Sequence, residues 1–194
     1  MIMRQLRARE LSAAKNMFGD VVIAVLIVAA LFWSHQLRER VDERDYLIRT
    51  IAFEAADEPE FGQVAVAYVV LNRKKSGRWG DNIRAVVTHP GQFEPWMTRR
   101  KEIETLSLND PRYRRAAIIA DAVLSGRTPD PTAGATHFLN PTIVRERRGG
   151  SLPPWALGEG RSIGRHVFYA PDASPQLAPL ISGSIGDRPS GLTP

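Results

Sequence analysis

The sequence predicts an α+β domain, mainly helical with a small β-hairpin, carried behind a single N-terminal membrane helix. Three observations predict it. An unbroken apolar run, VVIAVLIVAALFW, spans Val21 to Trp33. Helical apolar periodicity recurs between residues 45 and 76. Two short aromatic and β-branched runs follow far downstream, Thr136 to Leu139 and His166 to Tyr169. These features divide the chain into a basic cytoplasmic N-terminus (1–20), a signal anchor (21–33), a charged spacer (34–44), a folded domain (45–170) and a disordered tail (171–194).

The first element is read from charge as well as hydropathy. Arg4, Arg7, Arg9 and Lys15 precede the apolar run against Glu10 and Asp20, whereas acids outnumber Arg38, Arg40 and Arg44 after it. Positive charge on the N-terminal side favours keeping that side in the cytoplasm and exporting the remainder. The run is shorter than the roughly 20 residues of an ordinary spanning helix. A cleaved signal peptide, with Val28-Ala29-Ala30 as its best cleavage site, and a buried core helix are the alternatives to an uncleaved anchor. The spacer HQLRERVDERD continues naturally as a solvated helix.

Tyr46, Leu47, Ile48, Ile51, Ala52 and Ala55 fall at helical spacing, which predicts an amphipathic helix from Asp45 to about Ala56. Gly62 to Ser76 is apolar almost all round and predicts a central buried helix. Gly77 follows as its C′ residue, and Arg73, Lys74 and Lys75 complement its carboxyl end. Ile83 to Thr88 is a short apolar element stopped by His89-Pro90-Gly91. Asp110-Pro111 supplies an N-cap followed by Pro at N1, opening a helix that runs through Leu124 and stops before Gly126. Thr136–Leu139 and His166–Tyr169 are expected to pair as strands. The tail, rich in Pro, Ser and Gly, reads as disordered, with Leu177, Leu180 and Ile181 as weak docking points.

Composition removes several classes of function. The chain has no cysteine, so disulfides, thiol catalysis and Cys-ligated zinc are excluded. No G-x-S-x-G elbow, Walker loop or Rossmann fingerprint occurs. A formal charge of +5 implies a polyanionic partner. Residues 46–170 hold 18 Lys/Arg against 13 Asp/Glu, so the surplus belongs to the folded domain. The basic side chains are interleaved with acids, which argues against nucleic acid.

Few residues can carry chemistry. Glu54, near the end of an apolar helix and flanked by Phe53 and alanines, is a candidate acid with a raised pKa; a surface position on the polar face is the plain alternative. Glu58 sits four residues on, before Pro59, as a second acidic candidate or a loop charge. In HPGQFEPW, Gln92, Phe93 and Trp96 combine an amide with aromatics, a mixture suited to sugar rings. His137 and His166 would face each other across a hairpin. With Glu54 they would number three metal ligands, but their spacings match no metal signature, and no cofactor is expected.

Taken in order, LIRTIAFEAADEPEFGQVAVAYVVLNRKKSGRWGDNIRAVV, HPGQFEPW, DPTAGATHFLNP and SIGRHVFYAP resemble the SleB/CwlJ-type cell-wall hydrolases over about residues 45–170. The resemblance implies a lysozyme-like catalytic core that cleaves peptidoglycan without a metal. It places the catalytic acid of the family's YGEARGEP-like motif on Glu54 and the second acidic position on Glu58. Phe53, Ala56 and Asp57 depart from that motif, where Gly, Arg and Gly are usual, and Tyr is common where His137 stands. The implied reaction is a lytic transglycosylation with Glu54 as sole general acid and base. Gln92, Asn140, Phe93, Trp96, Tyr169 and His166 would contact the glycan, and Trp155 would be cleft wall or core. A zinc-dependent amidase using His137 and His166, and a non-catalytic peptidoglycan-binding module, are the competing readings. The partners implied are glycan strands and, through the anchor, a bacterial inner membrane, with the domain in the periplasm or wall.

Overall fold

The computed structural model describes residues 2–171, with side chains from residue 21 onward; the tail predicted to be disordered, with Leu177, Leu180 and Ile181, lies outside the described residues. The first helix, α1 (Ile2–Glu54), is continuous through the apolar run, the charged spacer and the first amphipathic segment. Val21 to Val41 presents its apolar side chains outward, with Val28 and Trp33 about two-thirds exposed. This is the one helix among the described residues long and apolar enough to cross a membrane. From Tyr46 the same helix enters the domain, and Leu47, Ile48 and Ile51 are completely buried.

The junction is held by charge. Glu43 accepts from Lys74 Nζ at 2.7 Å and from the backbone N–H of Ile83 at 3.0 Å. Arg44 reaches Asp121 with Nε and Nη2 at 2.6 and 2.9 Å, a bidentate pair. Asp45 accepts from Tyr113 Oη at 2.8 Å and from Arg49 Nε at 2.7 Å. These contacts fix the roll of α1 about its axis, and therefore where its last residue, Glu54, points.

α2 (Glu60–Ser76) is the central helix, and its buried residues run almost all round its axis from Gly62 to Val70. A helix apolar on every face can only be surrounded. Gly77 closes it at φ 68°, donating its N–H to Lys74 O, as a C′ glycine should. α3 (Ile83–Thr88) is capped by Asn82, whose side chain accepts from Ala85 N. The short helices α4 (Glu94–Thr98) and α5 (Arg100–Glu104) lead to α6 (Pro111–Leu124), where Asp110 caps the start and accepts from Arg112 N. α6 packs against α1 and α2 through Tyr113, Ala116, Ile119, Ala120 and Val123.

The sheet has three antiparallel strands in the order β1-β3-β2: β1 (His137–Leu139), β2 (Arg161–Ile163) and β3 (His166–Tyr169). The expected pairing of β1 with β3 is present, with Phe138 opposite Phe168. The tight hairpin, however, joins β2 to β3 through the two-residue turn Gly164-Arg165. Between β1 and β2 lie α7 (Pro141–Arg147), capped by Asn140, and a 3₁₀ turn at Pro154–Ala156. The mainly helical α+β fold read from the sequence is therefore observed, with a three-stranded sheet in place of a lone hairpin.

Candidate active site

The site forms where the carboxyl end of α1 meets the β2–β3 turn and the first turn of α7. Phe53, Glu54, Glu58, Asn140, Ile143 and His166 line a cleft of about 220 Å³, with Asp57 and Arg165 on its rim. Glu54 is there because it is the last helical residue of α1. The chain turns away at Ala55, and Asp57-Glu58-Pro59 carries it into α2. Glu54 Oε1 is buried and has no hydrogen-bond partner among the described residues. Burial, with the charge of Glu94 added, raises the Glu54 carboxyl from its ordinary 4.5 to about 7, while Arg73 opposes the shift. A carboxylic acid that keeps its proton near neutral pH can donate it.

Glu58, expected as a substrate contact, lines the cleft but is held by the protein itself. It is 5% exposed, and its two oxygens accept from Arg165: the backbone N–H to Oε2 at 3.0 Å and Nε to Oε1 at 2.9 Å. Burial works against the anion, but these bonds and the charges of His166 and Arg165 prevail and hold its pKa below the ordinary value. Gly164 sits directly over this carboxylate at φ 59°, where a Cβ would collide with Oε2.

Phe93 and Trp96, expected as sugar platforms, are 1% and 4% exposed and belong to the core. Phe93 lies under the Arg73 guanidinium and near Phe138; Trp96 stacks on Tyr46 at 5.1 Å and donates Nε1–H to Thr50 Oγ1 at 2.9 Å. Their rings have no free face to offer a sugar. Tyr169 is likewise buried, beside Trp155 at 5.5 Å. Gln92 is half-buried in the turn after His89 and is not among the cleft-lining residues. Asn140 and His166 do line the cleft, and the Asn140 Oδ1 simultaneously caps α7 through Thr142 N and Ile143 N. Trp155 remains 44% exposed, but over His137 rather than beside Glu54.

His137 and His166 do not face each other. His137 is opposite Tyr169 and His166 opposite Ile163, at different ends of β3, so the ligand trio imagined with Glu54 does not converge. No cluster of three metal-ligating side chains occurs among the described residues.

Arg73, a basic residue near a helix carboxyl end, reads from sequence as a dipole partner, yet its charge acts on Glu54. The fold buries it to 4% exposure between Trp79 and Phe93, with Nε donating to Thr136 O at 2.7 Å. Burial lowers its pKa to about 10, with Glu54 opposing, and it remains a cation at neutral pH. Arg165 was missed because its partner lies 107 residues away in sequence.

A carboxyl held near 7 by burial in a polar cleft, within the field of a buried cation and beside the Glu58–Arg165 ion pair, can serve as a general acid. The chain belongs to the cell wall hydrolase family, whose model matches residues 57–169. Glu54 stands just before that stretch, so its role rests on the site's geometry and the motif around it. Among curated relatives, the spore cortex-lytic enzyme of Halalkalibacterium halodurans is 36% identical over 59% of this chain and 31% of its own length. That of Oceanobacillus iheyensis is 30% identical over 59% of this chain and 37% of its own. The chain thus spans about a third of the curated relatives it matches. Among solved structures, the catalytic domain of the Bacillus cereus SleB protein aligns at a TM-score of 0.49 and 23% identity, covering 66% of this chain and 88% of that one. The catalytic domain of the germination-specific lytic transglycosylase SleB from Bacillus anthracis aligns at 0.49 and 25%, covering 66% and 93%.

Proposed function

We propose that the protein is a peptidoglycan lytic transglycosylase that breaks the bond between the muramyl residue and the following glucosaminyl residue, with Glu54 as its general acid. The observation that carries this is the state of Glu54: in the cleft, unpartnered, and raised to about 7 by burial. Glycosidases that use water normally need two carboxylates at set separations. Here two further carboxylates line the cleft: Glu58 is taken up by Arg165, and Asp57 stands exposed on the rim. A reaction whose nucleophile is the substrate's own C6 hydroxyl suits a single free acid. Glu54 protonates the departing glycosidic oxygen and is restored by the proton that the C6 hydroxyl gives up as the 1,6-anhydro ring closes. Such acid–base help is worth roughly 10²–10⁴-fold.

The apolar, outward-facing segment of α1 supports an anchor in the inner membrane with the domain on the wall side, and the basic surplus of the domain suits an anionic wall. Purified protein incubated with sacculi should release muropeptides lighter by one water than the hydrolysis products, and Glu54→Gln should abolish that release. Reducing-end products from the wild type would assign the site to hydrolysis. Wild-type protein that retains sacculi without releasing anything would make it a binding module.

A further inference from the structure

Glu58 and His166 are linked in a way that one free acid leaves unexplained. Nδ1 of His166 lies 3.5 Å from Glu58 Oε1, faces the protein interior and has no hydrogen-bond partner. The ring is held by an edge-to-face contact with Phe138 at 5.3 Å and a second with Phe168 at 6.3 Å. It stands at the first residue of β3, immediately after the turn that grips Glu58. Glu58 itself cannot swing away, because Arg165 holds both oxygens and Gly164 covers one of them. A neutral imidazole carries one proton, and a carboxylate beside Nδ1 favours placing it there. That leaves Nε2, which bonds to no described residue, with a free lone pair on a ring that lines the cleft together with Glu54.

We infer that His166, oriented by Glu58, is the base that receives the C6 hydroxyl proton, so that departure of the leaving oxygen and closure of the anhydro ring are served by two different side chains. This rests on the transglycosylase reading and adds to it the path of the second proton. The balance closes. The C1–O4 bond breaks as Glu54 gives its proton to O4; the C1–O6 bond forms as O6–H passes its proton to Nε2. The imidazolium so formed is stabilised by the Glu58 carboxylate and returns its proton to the Glu54 carboxylate, leaving both groups as they began. No water is consumed. Burial keeps the resting imidazole below the ordinary histidine pKa, with Arg165 acting the same way against the pull of Glu58, so the base is free at neutral pH. Glu58 in this scheme is a positioning residue: it fixes the tautomer and meets the transient positive charge.

The test separates the two protons. An aryl β-glycoside of N-acetylmuramic acid has a leaving group that departs without an acid. On it, Glu54→Gln should recover most of the rate it loses on sacculi, whereas His166→Gln should stay at least about 100-fold slow in forming anhydro product, within the range for a lost base. On sacculi, His166→Gln should shift the residual product from anhydro ends toward reducing ends. Glu58→Gln should shift it the same way by a smaller factor, a readout that survives if the histidine variant folds poorly. An unchanged anhydro-to-reducing ratio in both variants overturns the inference while leaving Glu54 as the acid. A wild type that makes no anhydro product at all overturns the transglycosylase reading instead.

Discussion

Arg165 closes on Glu58 with both main chain and side chain, its N–H on Oε2 at 3.0 Å and its Nε on Oε1 at 2.9 Å. The bond spans the domain's two halves, tying the helical loop that follows the acid to the β2–β3 turn. Its guanidinium also donates Nη2 to Asp57 O at 2.8 Å, so three bonds from one residue shape the α1–α2 loop. The cleft beside Glu54 therefore has a fixed floor.

Gly164→Ala should break that floor. The residue sits at φ 59°, and a Cβ would collide with the Glu58 carboxylate. Strain of this kind costs about 1–3 kcal/mol, to which displacement of the ion pair adds. Chemical denaturation should show a lower midpoint, and muropeptide release should fall more than the loss of folded protein explains.

The Glu58 anion should also be visible in acid. Its pKa is depressed in the folded state, so its stabilising contribution is complete above the unfolded value near 4.5 and is lost as pH falls through the folded value. Glu58→Gln should therefore narrow its stability deficit as pH is lowered through that range. Thermal melts at pH 7 and pH 3 measure the difference.

Glu54 predicts the opposite slope. Its folded pKa, about 7, lies above 4.5, so the contribution of its protonated form is present below 4.5 and is lost as pH rises through 7. The span is at most about 3.5 kcal/mol at roughly 1.4 kcal/mol per unit, less whatever solvent reaches the carboxyl. Glu54→Gln, which imitates the neutral acid, should gain stability relative to wild type between pH 5 and pH 9. The rate of the wild type should fall along an alkaline limb near pH 7. Glu94→Gln removes a charge that raises the Glu54 pKa and should move that limb to lower pH.

Trp96→Phe distinguishes core from glycan contact. The indole is 4% exposed, stacks on Tyr46 and bonds Thr50. Losing the N–H leaves the buried Thr50 hydroxyl, which donates to Tyr46 O, without its donor, at a cost of about 1–3 kcal/mol. Thermal stability should drop while kcat/KM per folded molecule stays close to wild type. A raised KM at unchanged stability would restore the platform role.

The sequence was informative where local rules act alone. Asp110-Pro111, Gly77 and the all-round apolar run from Gly62 to Val70 signal their elements within a few residues, and the structure places those elements accordingly. Glu54 is legible as a candidate because alanines and Phe53 surround it, but the spacing equally allows a surface position, and only the fold buries its Oε1. α4, α5 and α7 escaped because five to seven residues give less than two helical turns of pattern. β2, three residues with two exposed, carries no alternation to detect. Composition does not tell which face of a ring in HPGQFEPW is covered; packing against Tyr46, Arg73 and Phe138 buries Phe93 and Trp96.

Arg73 gives the last prediction, and it turns on shape as much as charge. The guanidinium carbon lies 5.1 and 4.9 Å from the ring centres of Trp79 and Phe93, and its Nε reaches Thr136 O on the residue that leads into β1. A lysine ammonium cannot stack on two rings and hold that carbonyl with the same geometry. Arg73→Lys should therefore lose stability despite keeping the charge. Arg73→Met should lose about 2–4 kcal/mol, because the Thr136 carbonyl is left buried without its donor and the stacking cation is gone. Removing the cation also removes the charge that opposes the Glu54 shift, so the pKa of the acid should rise further. In Arg73→Met the alkaline limb of the rate profile should move to higher pH, whereas in Arg73→Lys it should stay near the wild-type position. If the limb moves equally in both variants, misplacement of Glu54 rather than loss of the charge is responsible.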